Sequence, residues 1–334
     1  MIILSKKIAV LFLTVLGFFS LSACTNSLVT YNIYVTVYPL EYLVDSLLTD
    51  TDITCGMVPG VTSHNESVDW APKQIIAMTE AKYLFYIGAF FDTYIDNQIS
   101  TIFTDEEVTL VKLETEFDVN GVNSLLIEGV SHHSHDDEED DEATDTEIGL
   151  DPHFWISPKR MIQVVGLLYT KLIDAQTGYP ELASTIATNR DNLLAILSSL
   201  DAAYDAAINP ESKTVLTSTN LYGYLKADYG LKTISISPGY HEENDVAIAQ
   251  DRESILSQAQ ANSIRHIIYE VNASSPASDD IFTALTALGL NPVKLYYNTM
   301  PSLSDSDRAQ NIDYYQIMQY TNLALLITAT NIEE

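Results

Sequence analysis

Apolar residues recur along the chain at two different spacings, and the alternation between them outlines a fold. Residues 31–40, YNIYVTVYPL, are rich in β-branched and aromatic side chains, as a strand is, and LEYLVDSLL (40–48) then takes up helical spacing. DITCGMVPG (52–60) predicts a second strand closing in a Pro-Gly turn, APKQIIAMTEA (71–81) a helix, and KYLFYIGAFF (82–91) a buried strand. A loop, LDPHFWISP (150–158), leads into a helix that stops before Pro180. Residues 181–208 then hold helical spacing with no internal Gly or Pro. At about 1.5 Å per residue that stretch reaches roughly 40 Å, enough to pass across two lobes. Strand and helix alternate again afterwards: KTVLTST (213–219), LYGYLKADYG (221–230), KTISISPG (232–239), AIAQDRESILSQAQANS (247–263), RHIIYEV (265–271), SDDIFTALTALG (278–289), PVKLYYN (292–298) and a closing helix over 313–330. Strands alternating with helices predict parallel sheets with helical crossovers. The expected fold class is therefore α/β: two lobes, 31–179 and 209–334, each a mostly parallel sheet with flanking helices, joined by a connector helix over 180–208.

Length and composition agree with two globular lobes, since the 334 residues are 46% apolar and 19% charged. The charge balance changes the picture more. With 46 acidic against 16 basic residues, the formal net charge of −30 repels nucleic acid and attracts cations. Nucleic acid is thereby excluded as an expected partner.

The first residues carry an address. Lys6 and Lys7 precede an apolar run over 8–19, and Leu21-Ser22-Ala23-Cys24 follows. A charged start, a short apolar stretch and small residues before a cysteine predict a signal peptide over 1–23. The motif resembles a bacterial lipobox, in which Cys24 becomes the lipid-bearing first residue, with 24–30 as a tether; a plain signal peptide or an uncleaved anchor is the alternative. An extracytoplasmic, lipid-anchored protein is expected. Cys55 is the only other cysteine, so no disulfide framework is expected and Cys55 is read as a small buried apolar residue.

The seven histidines are unevenly placed. His132, His133 and His135 lie in SHHSHDDEEDDE (131–142), a stretch too polar to enter a core. His266 begins a strand. His64, His153 and His241 lie in loops that follow strands, which is where open α/β sheets bind ligands. Neutral imidazole is a good ligand for zinc and other first-row metals.

TVYPLEYLVDSLL, VPGVTSHNES with APKQII after it, AKYLFYIGAFFD, LDPHFWISPKR, LYGYLKADYGLK, HIIYEVNASSP and DYYQIMQY occur in that order over nearly the whole mature chain. Together they resemble the zinc- and manganese-binding, TroA-like substrate-binding lipoproteins of bacterial ABC importers. The resemblance implies two α/β lobes, one long helix, and a divalent ion held in the interlobe cleft, Zn2+ with Mn2+ as the alternative. It also implies an ABC permease and its ATPase as partners, and a monomer. His64 matches the ligand that follows the Pro-x-Gly turn, and His153 matches the ligand of DPHxW.

The remaining shell departs from that pattern. Thr219 stands where the resembling proteins place a third His or Glu ligand, and a neutral hydroxyl is a poor ligand for zinc. Asn298 and Thr299 stand where a carboxylate is usual. His241, Glu270, Glu66 and Asp69 are the substitutes the sequence offers. His132, His133 and His135 beside their carboxylates read as an accessory cation trap, with a merely solvated acidic loop as the alternative. Catalysis is not expected, because no H-E-x-x-H helix, P-loop or G-x-S-x-G elbow occurs. The competing readings are a metal-dependent hydrolase using an open coordination position, and a surface adhesin of the same fold with a weakened site. Deleting residues 131–147 should remove weakly held zinc from the mature chain while sparing the tightest ion, as read by equilibrium dialysis. An unchanged stoichiometry would make the segment a solvated loop.

Overall fold

The computed structural model describes residues 29–61, 68–104, 108–131, 148–208, 211–240 and 245–331. Cys24, His64, Glu66, His132, His133, His135 and His241 fall outside the described residues. Tyr31–Glu334 form one compact unit. In chain order its principal elements are β1 (Ile33–Val35), α1 (Tyr38–Leu47), β2 (Cys55–Met57), α2 (Pro72–Thr79), β3 (Tyr83–Tyr86), β4 (Thr109–Lys112), α3 (Pro158–Leu172) and α4 (Ala183–Ala207). The second half adds β5 (Val215–Thr217), α5 (Gly223–Tyr229), β6 (Thr233–Ser235), α6 (Asp245–Ala261), β7 (His266–Glu270), α7 (Pro276–Ala287), β8 (Val293–Tyr297) and α8 (Leu323–Thr330). The first strand is shorter than its residue types suggest. Pro39 sits in the opening turn of α1, where its fixed φ suits a helix and not a strand.

Both lobes use the same plan. The first sheet runs β2-β1-β3-β4 and the second β6-β5-β7-β8, with every pair parallel. In each, the chain leaves the first strand for one edge and then crosses to the other side. The crevice at the carboxyl ends therefore opens between β1 and β3, and again between β5 and β7.

Successive strand residues point to opposite faces, and both faces are covered. Ile33, Val35, Tyr83 and Phe85 enter a large core shared with Val215, Ile268 and Tyr297 of the second sheet. Tyr34, Leu84 and Tyr86 face a smaller cluster under α2, and Leu216, Ile267 and Tyr269 face one under α6 and α7. The shared core lies between the sheets. Through it runs α4, burying Ile186, Leu193, Leu197, Leu200 and Tyr204, a stripe of three-, four- and seven-residue steps on one face. Asn189 on α4 donates to the carbonyls of Leu47 and Thr49 in the first lobe, at 3.0 and 2.8 Å, and the Tyr204 hydroxyl donates to the Met318 carbonyl near the C-terminus, at 3.0 Å.

Two antiparallel ribbons have no counterpart in the sequence reading: Asp118–Val119 with Val122–Asn123, and Glu128–Ser131 with Ile148–Leu150. The second flanks the acidic segment, so Ser131, read as the start of a loop, belongs to a strand. Among the described residues, no helix is long and apolar enough to cross a membrane.

The closing helix is interrupted. A capping box between Asp313 and Gln316 starts it, a π-helical stretch spans Ile317–Asn322, and α8 follows. Fully buried Asn322 accepts from the Asn298 N–H at 2.9 Å and donates to the Asn298 carbonyl at 2.8 Å, fixing the loop after β8. Asn322→Ala strips both partners from that backbone unit and should cost about 1–3 kcal/mol in urea unfolding. A loss within error would mean that the loop is held otherwise.

Candidate metal centre

The segment DPHFW is fastened between the lobes, and each fastening has a residue-level cause. The Asp151 N–H donates to the Ile127 carbonyl at 2.9 Å, while the Asp151 carbonyl accepts from the Tyr224 hydroxyl of α5 at 2.5 Å. Its carboxylate, 2% exposed, accepts through Oδ1 from the His153 N–H at 2.9 Å and from His153 Nδ1 at 2.8 Å. A carboxylate can only accept, so Nδ1 carries a proton, and in the neutral ring it is Nε2 that bears the lone pair. Trp155 Nε1 donates to the Thr299 carbonyl at 2.7 Å, and the Tyr314 hydroxyl donates to the Trp155 carbonyl at 2.6 Å. Ser157 and Arg160 both bond Asp228 of α5, the latter as a two-pronged ion pair at 2.7 and 2.8 Å. That pairing holds the guanidinium pKa above its ordinary value.

The His153 ring, 1% exposed, is walled by aromatics: Tyr240 at 4.7 Å between centroids, Trp155 at 5.2 Å and Phe91 at 6.1 Å. Tyr240 belongs to the second lobe and directly precedes His241. A Cβ at position 129 would overlap its hydroxyl, so Gly129 is required for Tyr240 to reach the imidazole. Phe91 is delivered by a turn in which Gly88, Ala89 and Phe90 all have positive φ, at 84°, 50° and 59°. Fully buried Asp92 closes that turn, accepting from Thr36 Oγ1 at 2.7 Å and from the N–H groups of Ile87 and Gly88 at 2.7 and 2.8 Å. Burial pushes the Asp92 carboxyl up to about 6.

On the second sheet, two candidate residues meet at the crevice between β5 and β7. Thr219 Oγ1 donates to Glu270 Oε1 at 2.7 Å, and the Thr219 carbonyl accepts from Thr217 Oγ1 at 2.8 Å. The Asn220 N–H donates to the Gly239 carbonyl at 2.8 Å, next to Tyr240. An unbroken run of contacts therefore leads from Glu270 through Thr219, Asn220, Gly239 and Tyr240 to the His153 ring. Two hydroxyls beside this run, Ser218 Oγ and Tyr222 Oη, are buried without a hydrogen-bond partner among the described residues. Burial, and after it the Glu270 charge, raises the Tyr222 pKa well above its ordinary value.

The other candidates separate clearly. Residues 62–67, which hold His64 and Glu66, leave a base in which Trp70 Nε1 donates to the Pro59 carbonyl at 2.9 Å. Asp69 is exposed. The Asn298 side chain accepts from the Met300 N–H at 3.1 Å, and Thr299 is engaged through its carbonyl, so this loop is used for packing. His266, with Nδ1 3.2 Å from the Ala329 carbonyl, stands at the opposite end of β7 from Glu270. Cys55 is buried, and burial pushes its thiol well up, as suits a packing residue. Among the described residues, no three His, Cys, Asp or Glu side chains gather around one point. Of the nitrogen and carboxylate candidates for the centre, His153 and Glu270 are described, and His64 and His241 lie outside the described residues. Sequence reasoning missed Asp151 and Tyr240. The Asp two positions before the His was the available signal for the first.

The family described as zinc-uptake complex component A, periplasmic, matches residues 33–329. The zinc-binding protein AdcA of Streptococcus pyogenes serotype M3 is 28% identical over 311 residues, covering 89% of this chain and 55% of its own length. The chain thus spans about half the length of that relative. The high-affinity zinc uptake system protein ZnuA of Bacillus subtilis is 24% identical, over 94% of this chain and 95% of its own. The solved Zn(II)-bound ZnuA-like domain of Streptococcus pneumoniae AdcA aligns with a TM-score of 0.66 at 21% identity, over 91% of this chain and 100% of that one, a likeness of fold.

Asp92 offers a pH test of the wall beside His153. Its folded pKa of about 6 exceeds the ordinary 3.8, so between these values the native state holds a proton that the unfolded chain has lost. Stability from this group therefore falls as pH rises through that window. In urea unfolding, the advantage of the parent over Asp92→Asn should shrink by about 3 kcal/mol between pH 4 and 7. A difference that stays flat would place the proton elsewhere.

Proposed function

The chain belongs to the family of zinc-uptake complex component A proteins, and from that premise we propose that it captures Zn2+ outside the cytoplasm and delivers it to an ABC permease with its partner ATPase. The ion is held between the lobes by the imidazoles of His153 and His64. The second lobe completes the shell, with Thr219, His241 and Glu270 as the candidate positions, and lipid on Cys24 keeps the protein, a monomer, at the membrane. Mn2+ is the alternative cargo.

One observation carries the reading: a fully buried imidazole whose Nδ1 donates to a buried carboxylate, leaving the lone pair on Nε2. Metal-bound histidines are held this way almost universally, because the carboxylate fixes the tautomer and raises the basicity of the ligand nitrogen. The position of His153 adds to it, since the ring sits at a seam between two parallel sheets, against Tyr240 of the second. The chemistry required is capture and release: the site orients donors and excludes water, and no bond in a substrate is broken. A chain of net charge −30 also raises the local concentration of cations around its cleft.

Isothermal titration and thermal unfolding of the mature chain test this. Zinc at a hundredfold excess over its dissociation constant should stabilise the fold by about 2.7 kcal/mol. His153→Gln should abolish most of that shift, and Asp151→Asn should weaken binding by about 10- to 100-fold with the ligand itself intact. Absence of both heat and thermal shift at micromolar zinc in the parent protein would remove the proposal.

A further inference from the structure

We infer that Glu270 is the ligand contributed by the second lobe and that Thr219 is its positioning residue, so the captured ion sits in a mixed nitrogen and oxygen shell; this rests on the capture function proposed above. Four observations lead there.

The first is topological. Glu270 is the last residue of β7 and Thr219 follows β5, so both stand at the point where the second sheet reverses its strand order. The second is chemical. Of the two oxygen donors available, one is an anion and the other a neutral hydroxyl, and a divalent cation favours the anion. The Thr219 hydroxyl is already donating to Oε1 at 2.7 Å, which fixes the rotation of the carboxylate instead of competing with it. Thr217 Oγ1 holds the Thr219 carbonyl at 2.8 Å, so the positioning residue is itself positioned.

The third observation is the pair of buried hydroxyls without partners, Ser218 Oγ and Tyr222 Oη. An unpaired buried hydroxyl costs about 1–3 kcal/mol, a penalty that falls away when a small polar guest comes within reach. Tyr222 is close enough to Glu270 to feel its charge, so the guest and the carboxylate share one neighbourhood. A hydrated divalent ion meets that requirement: the carboxylate takes the metal, and ion-bound water takes the hydroxyls. The fourth is the run of contacts from Glu270 through Thr219, Asn220, Gly239 and Tyr240 to His153, which ties this oxygen donor mechanically to the nitrogen donor of the seam.

An oxygen donor in place of a third imidazole narrows the preference for zinc over manganese, because imidazole favours zinc while carboxylate and water suit manganese. The test is competition titration of the mature chain with Zn2+ and Mn2+, joined by the visible absorption of bound Co2+. Glu270→Gln should weaken zinc by about 30-fold or more, as expected for loss of a charged ligand, and Thr219→Val by about tenfold, in the range of lost supporting contacts. Thr219→Ser should recover most of the Thr219→Val loss and restore the Co2+ spectrum, which a purely structural role would not require. Thr219→His should widen the zinc-to-manganese ratio.

If Glu270→Gln keeps parental affinity while His153→Gln loses it, the second-lobe ligand lies elsewhere and the inference falls while the capture function stands. If both keep parental affinity, the capture site itself is wrong. Zinc-edge X-ray absorption of the unaltered protein gives an answer independent of whether a variant folds. Two imidazoles with oxygen donors support the inference, and three imidazoles without a carboxylate overturn it.

Discussion

The bond between the Asp151 carboxylate and the His153 imidazole is the constraint to which the surrounding structure answers. A carboxylate taken out of water costs several kcal/mol unless donors surround it. Asp151 receives the N–H and Nδ1–H of His153, and its backbone is tied to Ile127 and Tyr224. Such crowding limits what can stand nearby. A Cβ on Gly223 would stand 3.0 Å from Asp151 Oδ2, so a larger residue at the start of α5 would push the carboxylate by a few tenths of an ångström. The result is an imidazole whose Nδ1 is held in one direction before any ion arrives, which lowers the entropic cost of binding.

The same segment welds the lobes. Trp155, Tyr314 and Tyr204 are fully buried in a core drawing on both sheets, and Arg160 grips Asp228 across the seam. Arg308 reaches Glu41 at 2.6 Å, and the Tyr38 N–H donates to the Pro301 carbonyl at 3.0 Å. Parting the lobes along this line would expose large apolar side chains at about 1.5–3 kcal/mol each and orphan several buried carbonyls.

What could be read in the sequence divides along physical lines. β1, β3 and β7 announce themselves because both faces of a buried parallel strand are apolar, and α4 because a long run without Gly or Pro has one helical solution. The short ribbon at 118–123 turns on Asn120 and Gly121, both at positive φ, a Asn-Gly hairpin signal that was present and passed over. β4 was equally passed over in VTLVKL. The π-helical turn at Ile317–Asn322 was not legible, since nothing in IMQYTN marks it locally and its last residue, Asn322, pairs with Asn298, 24 residues away. At the site, His153 could be picked out from its loop position and its DPHxW setting. The Thr219–Glu270 pair could not, because the two residues are 51 apart and meet only after β5 and β7 pair in register. The expectations placed on His64, His241 and the acidic His-rich stretch fall on residues the structure does not describe.

A strongly acidic chain and the two-donor centre proposed above address different halves of one problem. The surface field acts on any cation and is screened beyond about 8 Å at physiological salt, so it gathers ions without choosing among them. Choice therefore has to be made where water and counterions are excluded. His153 and Glu270, the donors proposed above, would supply one borderline nitrogen and one hard oxygen, each held by a hydrogen bond to a neighbour that cannot itself replace it: Asp151 lies behind the imidazole, and Thr219 carries no charge. Substituting either neighbour would leave the donors present but free to rotate. Selectivity in such a centre thus resides as much in the two supporting bonds as in the donors, and the few buried polar groups around them are the part of this acidic chain least tolerant of change.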